Sequence, residues 1–205
     1  MNTTQNVDGM DFIRKTYGPE ARILHCIRHG FKTSDGKHIT RECLKNIMEG
    51  AVPQLTNQVN VLHPGSAEVR STETGMAAAM WIVMNGGKIH TYLFTDSRLG
   101  SPAVFSMYDA EVKAAMKARG LKNYQALAEL KPEDLDDWKE DLKNWTEETF
   151  SELAPGDVCL VPCHSPTVEA LYNVYAKESD DLMTVAELEG IFLVKTKDDE
   201  IIVIR

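Results

Sequence analysis

Arg28-His29-Gly30 follows directly on the apolar run Ile23–Ile27, and His164 directly on a second run, Val158–Cys163. Arg70 comes a short loop after a third, Val59–His63. Guanidinium groups stay charged and match the oxygens of a phosphate in a fork. A neutral imidazole can attack phosphorus and carry the phosphoryl group as phosphohistidine. A second imidazole can donate a hydrogen bond to an equatorial oxygen of the transferring group. Gly30 would let the backbone approach an anion with no Cβ in the way. Taken singly, each residue has a blander reading. Arg-His-Gly occurs by chance, a lone His at a strand end is more often structural than catalytic, and a lone Arg is usually a surface ion pair. The weight lies in the ordered set of two arginines, two histidines and a glycine, which makes an anion site with a nucleophile in it.

The set works only if the elements bring its members together. Ile23–Ile27, Val59–His63, Lys88–Phe94 and Val158–Cys163 read as strands, each bounded by turn-forming residues. Helices are expected over about 40–49 with Thr40 as N-cap, over about 71–84 ending in Asn85-Gly86-Gly87, and from Ser165, an N-cap followed by Pro166 at the first helical position. Ile191–Lys195 and Ile201–Ile204 read as a terminal hairpin. Residues 1–20 read as a polar lead-in with a fraying start. Strands alternating with helices imply an α/β domain with a largely parallel sheet, helices on both faces and an antiparallel edge. Ligands in such sheets bind beyond the C-terminal strand ends, where His29, His164 and Arg70 fall.

Between about 109 and 153 the chain is helical and highly charged. Leu135, Trp138, Leu142 and Trp145 recur at spacings of 3, 4 and 3, one apolar face turned to a core. The acids between them form a solvated face.

The 205 residues, 43% of them hydrophobic, fit a single domain spanning 1–205 with that helical subregion inside it. A net charge of −9 argues against nucleic acid or an anionic membrane as partner. The four cysteines, Cys26, Cys43, Cys159 and Cys163, form no CxxC pair and read as reduced thiols. No signal-peptide pattern and no apolar run of transmembrane length is present, so a cytoplasmic location is expected. The oligomeric state is left open.

"RHG" after the first strand, "SAEVRSTET" before a helix and "CHSPTVEAL" after a late strand resemble the motifs of the histidine phosphatase, or phosphoglycerate mutase-like, superfamily. The resemblance spans about 23–99 and 158–204. It implies a three-layer α/β/α sandwich with a mostly parallel mixed sheet. It implies His29 as nucleophile, with Arg28, Arg70 and His164 around the phosphoryl group and Thr74 completing the second motif. Many members place a Glu four residues before a Gly as proton donor. Asp96, four residues before Gly100, is the corresponding candidate, with Asp109 and Glu111 as fallbacks. Phe31 stands where a polar residue is common, Cys163 where Gly is usual, and the loop after Gly30 lacks the mutase pattern. Lys32 and Thr33 in that loop read as solvated.

The leading expectation is therefore a metal-independent phosphomonoesterase without a cofactor. It would act on a small phosphorylated metabolite or on protein phosphohistidine. A non-catalytic phospho-ligand or protein-interaction module on the same fold is the alternative. A metal site from His25 and His29 has the spacing of a helical pair, but the segment is strand-like and no further ligand has convincing spacing. His25, His38, His63 and His90 read as structural or surface residues.

Overall fold

In the computed structural model, residues 9–50, 52, 55–100, 102–176 and 183–205 are described. The elements run α1 (Gly9–Tyr17), β1 (Arg22–Arg28), α2 (Arg41–Met48), β2 (Val61–Leu62), α3 (Val69–Met84) and β3 (Thr91–Tyr92). A 3₁₀ turn, Ser97–Leu99, leads to α4 (Pro102–Ser106), α5 (Ala110–Arg119), α6 (Asn123–Leu130) and α7 (Pro132–Glu152). Then come β4 (Val158–Cys163), α8 (Ser165–Tyr175), β5 (Gly190–Lys195) and β6 (Ile201–Ile204).

The strands form one sheet in the order β3-β2-β4-β1-β5-β6. The pairs β3/β2, β2/β4 and β4/β1 are parallel. β5 is antiparallel to both β1 and β6, so the terminal hairpin makes the sheet mixed, as its turn chemistry predicts. β1 and β4 sit at the centre and are buried on both faces, which is why their sequences are near-continuous apolar runs. Their side chains still alternate. Leu24, Cys26, Cys159, Val161 and Cys163 enter a core with α5–α8, whereas Ile23, Ile27, Val158 and Leu160 enter a second core with α1–α3. Two cores on opposite faces of one sheet are the three layers expected. All four cysteines are free and buried. No helix among the described residues is long and apolar enough to cross a membrane.

Several boundaries differ from expectation for local reasons. Residues 9–17 form α1, which buries Met10 and Ile13 and is tied down by Arg14 donating to the carbonyls of Pro19, Ala21 and Gly156; residues 1–8 lie outside the described set. Thr40 caps α2 as predicted, its hydroxyl accepting from Cys43 N at 3.1 Å. Ser165 is not the N-cap of α8. His164 takes that place with extended backbone (φ −116°, ψ 158°), and the Ser165 hydroxyl donates instead to Glu169 Oε1 at 2.8 Å. α3 begins two residues before the expected Ser71, so Arg70 lies in its first turn. β3 shrinks from the expected Lys88–Phe94 to Thr91–Tyr92, and β2 from Val59–His63 to Val61–Leu62. In α7, Leu135, Trp138, Leu142 and Trp145 are all buried, and the Trp138 indole donates to Arg98 O at 2.8 Å, which fixes the loop after β3.

Candidate active site

β1 and β4 are adjacent, parallel and in register, Arg28 opposite Cys163. Their C-terminal ends must therefore deliver the next residues, His29 and His164, side by side. The His29 N–H donates to Cys163 O at 2.8 Å, and the two imidazoles meet edge to face with centroids 5.0 Å apart. α3 brings Arg70 to the same point, its Nε 3.2 Å from His29 Nε2. Arg28, His29, Arg70 and His164 all line one cavity of about 300 Å³. The convergence of the three motifs on one strand edge, expected from sequence, is what the backbone geometry produces.

His29 is 6% exposed and has a defined tautomer. Its Nδ1 lies 2.7 Å from Gly30 O, and a carbonyl can only accept, so the hydrogen sits on Nδ1 and the lone pair on Nε2. Burial is the main cause that lowers its pKa to about 4, and Arg70, Arg28 and Lys32 push the same way against the raising effect of the Gly30 bond. At neutral pH the ring is therefore uncharged. His164 is pushed down further, to about 2, first by burial and then by His29 and the same cations. Its Nε2 pairs with the Ser66 hydroxyl at 2.8 Å. Phe105 meets the ring edge to face at 5.0 Å, and the Arg70 guanidinium lies 5.8 Å from the Phe105 ring centroid.

The arginines are held from behind. Arg28 donates to Val185 O at 2.8 Å and to Glu187 Oε1 at 2.7 Å. Arg70 donates to Gly36 O at 2.9 Å and Glu68 Oε2 at 3.0 Å. Thr74 links the second motif to the first, its hydroxyl donating to Arg70 O at 2.8 Å and accepting from Gly30 N at 3.0 Å. Gly30 thus has both backbone groups committed, its N–H to Thr74 and its carbonyl to His29. A Cβ there would sit 2.0 Å from Cys43 Sγ, so packing against α2 accounts for the glycine, in place of the expected approach to an anion. Gly30→Ala should cost about 1–3 kcal/mol of stability through this overlap. Adding Cys43→Ala should restore most of it, since the Cys43 Cβ would stand at 3.6 Å; denaturant melts of the single and double variants check this, and no recovery would assign the cost elsewhere.

Asp96 does not join the cluster. It lines a separate hollow with His63, Phe94, Arg98 and Glu148. Its carboxylate caps the 3₁₀ turn, accepting from Arg98 N at 2.8 Å, and takes a two-pronged ion pair from the Arg98 guanidinium at 3.0 and 2.7 Å. Partial burial raises its pKa, but the Arg98 hydrogen bonds outweigh this and hold it below the usual carboxylate range. A group deprotonated at neutral pH and turned to another hollow is badly placed as an acid. The fallbacks are no better placed. Asp109 caps α5 through Val112 N at 3.0 Å and pairs with Lys131 at 2.9 Å, and neither it nor Glu111 lines the cavity. Gly100, the other half of the expected acid motif, has a different reason to be glycine. Its φ is +146°, and a Cβ would meet His164 Cδ2 at 2.4 Å. The loop after β3 closes on the ring of His164 at this glycine.

The cavity also has walls the motifs did not mark. Lys32, read as solvated, lines it, and so do Phe105, Tyr108, Lys113 and Asn123 from α4, α5, α6 and their loops. Arg28, Lys32, Arg70 and Lys113 give it four cations, and no carboxylate is among its described lining residues. An adjoining hollow of about 440 Å³ shares Arg28, Asn123 and Ser165 and adds Lys122 and Glu187.

No protein-family model matches the chain, and no curated protein sequence does. Solved structures do. A phosphoglycerate mutase from Bacillus anthracis superposes with a TM-score of 0.61 at 15% identity, over 90% of this chain and 91% of that one. The chain has the phosphoglycerate mutase fold. This fold also relates it to a candidate alpha-ribazole-5'-P phosphatase from Escherichia coli, at a TM-score of 0.52 and 10% identity over 89% of this chain and 94% of that one. A protein described as mycobacterial hydrolase 1 gives 0.52 at 15% identity, over 90% and 96%. Ligands of open α/β sheets bind beyond the C-terminal ends of the strands, and the cavity with the two histidines and two arginines lies there in this chain.

Proposed function

We propose that the chain is a metal-independent phosphomonoesterase that works through phosphohistidine on His29. The observation that carries this reading is the His29 ring. It is buried, uncharged at neutral pH and fixed as the Nδ1–H tautomer, so its Nε2 lone pair faces Arg70 and His164. Arg70 occupies that lone pair through Nε. An entering phosphate dianion competes for the guanidinium and frees Nε2 to attack. The P–Nε2 bond forms as the bond from phosphorus to the leaving oxygen breaks, and Arg28, Arg70 and His164 hold the equatorial oxygens. Water then attacks the phosphohistidine, the P–Nε2 bond breaks and inorganic phosphate leaves. The substrate class is a small phosphorylated metabolite or a protein phosphohistidine. Four cations and a cavity of about 300 Å³ favour a small molecule with a second anionic group. The names of the similar structures, a mutase and a candidate phosphatase among them, agree with chemistry at phosphorus.

With no carboxylate among the described lining residues to protonate the leaving oxygen, its departure depends on how acidic the leaving group is. Esters with acidic leaving groups should then turn over fastest, p-nitrophenyl phosphate well ahead of alkyl phosphates. Asp96→Asn should leave that preference unchanged. A loss of about 10²-fold or more confined to alkyl esters would return the role of general acid to Asp96.

The same feature favours the second reading, a phospho-ligand module that binds but does not turn over. A panel of phosphomonoesters, run on wild type and His29→Ala in parallel, separates the two. Steady phosphate release by wild type alone supports the enzyme. Binding without release supports the module.

A further inference from the structure

A carboxylate is among the least favourable groups to bury, and it is kept in a core only where donors satisfy its oxygens. Glu169, in α8, is 1% exposed, the most deeply buried acid among the described residues. It stands in the wall of the hollow that adjoins the cation-lined cavity. Its Oε1 accepts from the Ser165 hydroxyl at 2.8 Å and from Val185 N at 3.2 Å, and its Oε2 accepts from Tyr124 N at 3.3 Å. All three partners donate, so both oxygens serve as acceptors. Burial raises the Glu169 pKa, while these bonds and the positive charge of Arg28 act in the opposite direction.

The three donors come from three separate pieces of chain. Ser165 opens α8 directly after His164 and lines both hollows. Tyr124 is in the first turn of α6, next to Asn123, which lines both as well. Val185 lies in residues 183–186, a stretch outside every helix and strand. The Val185 carbonyl is the group to which Arg28 Nη1 donates at 2.8 Å, and Glu187, two residues on, takes Arg28 Nη2 at 2.7 Å. The direction in which this guanidinium points therefore depends on where a segment with no ladder of its own is held.

We propose that Glu169 is a positioning residue for Arg28, pinning Val185 through its N–H so that the Val185 carbonyl aims the guanidinium at the anion. The path is two hydrogen bonds long, Glu169 Oε1 to Val185 N and Val185 O to Arg28 Nη1. The same carboxylate ties α6 to α8, so one buried group draws three walls of the site to one point. An amide would not serve alike, because it has a single acceptor oxygen and would turn its NH₂ toward one of the three donors. The inference rests on the reading of the cavity as an anion site and adds the group that fixes one of its guanidiniums.

Vanadate affinity of the full chain, measured by titration calorimetry in a double-mutant cycle, tests this without turnover. Arg28→Ala should weaken binding by about 10–100-fold, through loss of a charge-assisted contact. Glu169→Gln keeps the volume but loses the charge and one acceptor. It should still melt cooperatively and weaken binding about 10-fold, within the usual range for residues coupled through one network. In the Arg28→Ala background the same change should cost less than about 2-fold, because the group it acts through is gone. A carboxylate that only holds the fold together would cost the same factor in both backgrounds, and that additivity would overturn the inference. Wild-type affinity in Glu169→Gln would overturn it too. Should Glu169→Gln fail to melt cooperatively, Glu169→Asp, which keeps the charge but sets it one methylene back from the three donors, takes its place in the cycle under the same criteria. Wild type that binds no vanadate overturns the anion site and this inference together, whereas wild-type binding with additive losses overturns the inference alone.

Discussion

His29→Ala should lower turnover of p-nitrophenyl phosphate by about 10⁴-fold or more, the scale on which loss of a nucleophile registers. His29 sits at the end of the central strand, its ring fixed by Gly30 O and Arg70 Nε. No other group among the described lining residues combines that position with a lone pair that an incoming phosphate uncovers by drawing off Arg70. His164 is the nearest alternative, but its Nε2 is engaged by the Ser66 hydroxyl. Anion binding should outlast the loss, because both arginines keep their supports on Val185, Glu187, Gly36 and Glu68. Vanadate affinity measured on the same preparation therefore separates a missing nucleophile from a collapsed site. A variant that keeps a tenth of wild-type turnover would put the nucleophile elsewhere.

Arg70→Ala should act on two quantities at once. Removal of a guanidinium from the transferring phosphoryl group should cost about 10²–10³ in kcat/KM, the usual loss for one preorganised donor. It should also move the pH profile. Burial is the largest cause that holds His29 near 4, and the positive charge of Arg70 adds to it. Without that charge the imidazolium form is less disfavoured, so the His29 pKa rises toward its ordinary value of about 6.5. The reactive form is the neutral ring, so activity is lost on the acid side, and the acid limb of kcat/KM should shift to higher pH. Arg70→Lys keeps the charge but not the fork, so it should lose rate with little movement of that limb. An Arg70→Ala limb that stays in place, or moves to lower pH, would mean that the group titrating there is not His29.

Much of the site could be read from the sequence because backbone registration places it. Strands buried on both faces need unbroken apolar runs, which made β1 and β4 visible and fixed where each ends. Adjacent parallel strands then put His29 and His164 together without further information. The sequence places Arg70 in the loop before a helix from about Ser71, and Thr74 rests on the family motif alone; α3 begins at Val69 and sets the two one turn apart. What failed was inference from spacing alone. Asp96 stands the right distance from Gly100, but Arg98, two residues on, claims its carboxylate, and Gly100 is needed for the ring of His164. Ser165 looked like a cap by type, yet the extended backbone of His164 took that place. Lys32, Phe105, Tyr108 and Lys113 reach the cavity from a loop and from helices whose rotation about their axes depends on the packing of α5, α6 and α7. No local pattern encodes that rotation.

The central claim is a covalent bond between His29 and phosphorus, and trapping it is the most direct measurement. Wild type mixed with a phosphorus-labelled monoester and quenched with alkali should carry label that survives alkali, is lost in acid, and maps to the peptide containing His29. His29→Ala should carry none. Label found on that variant, or stable to acid on wild type, would contradict the account.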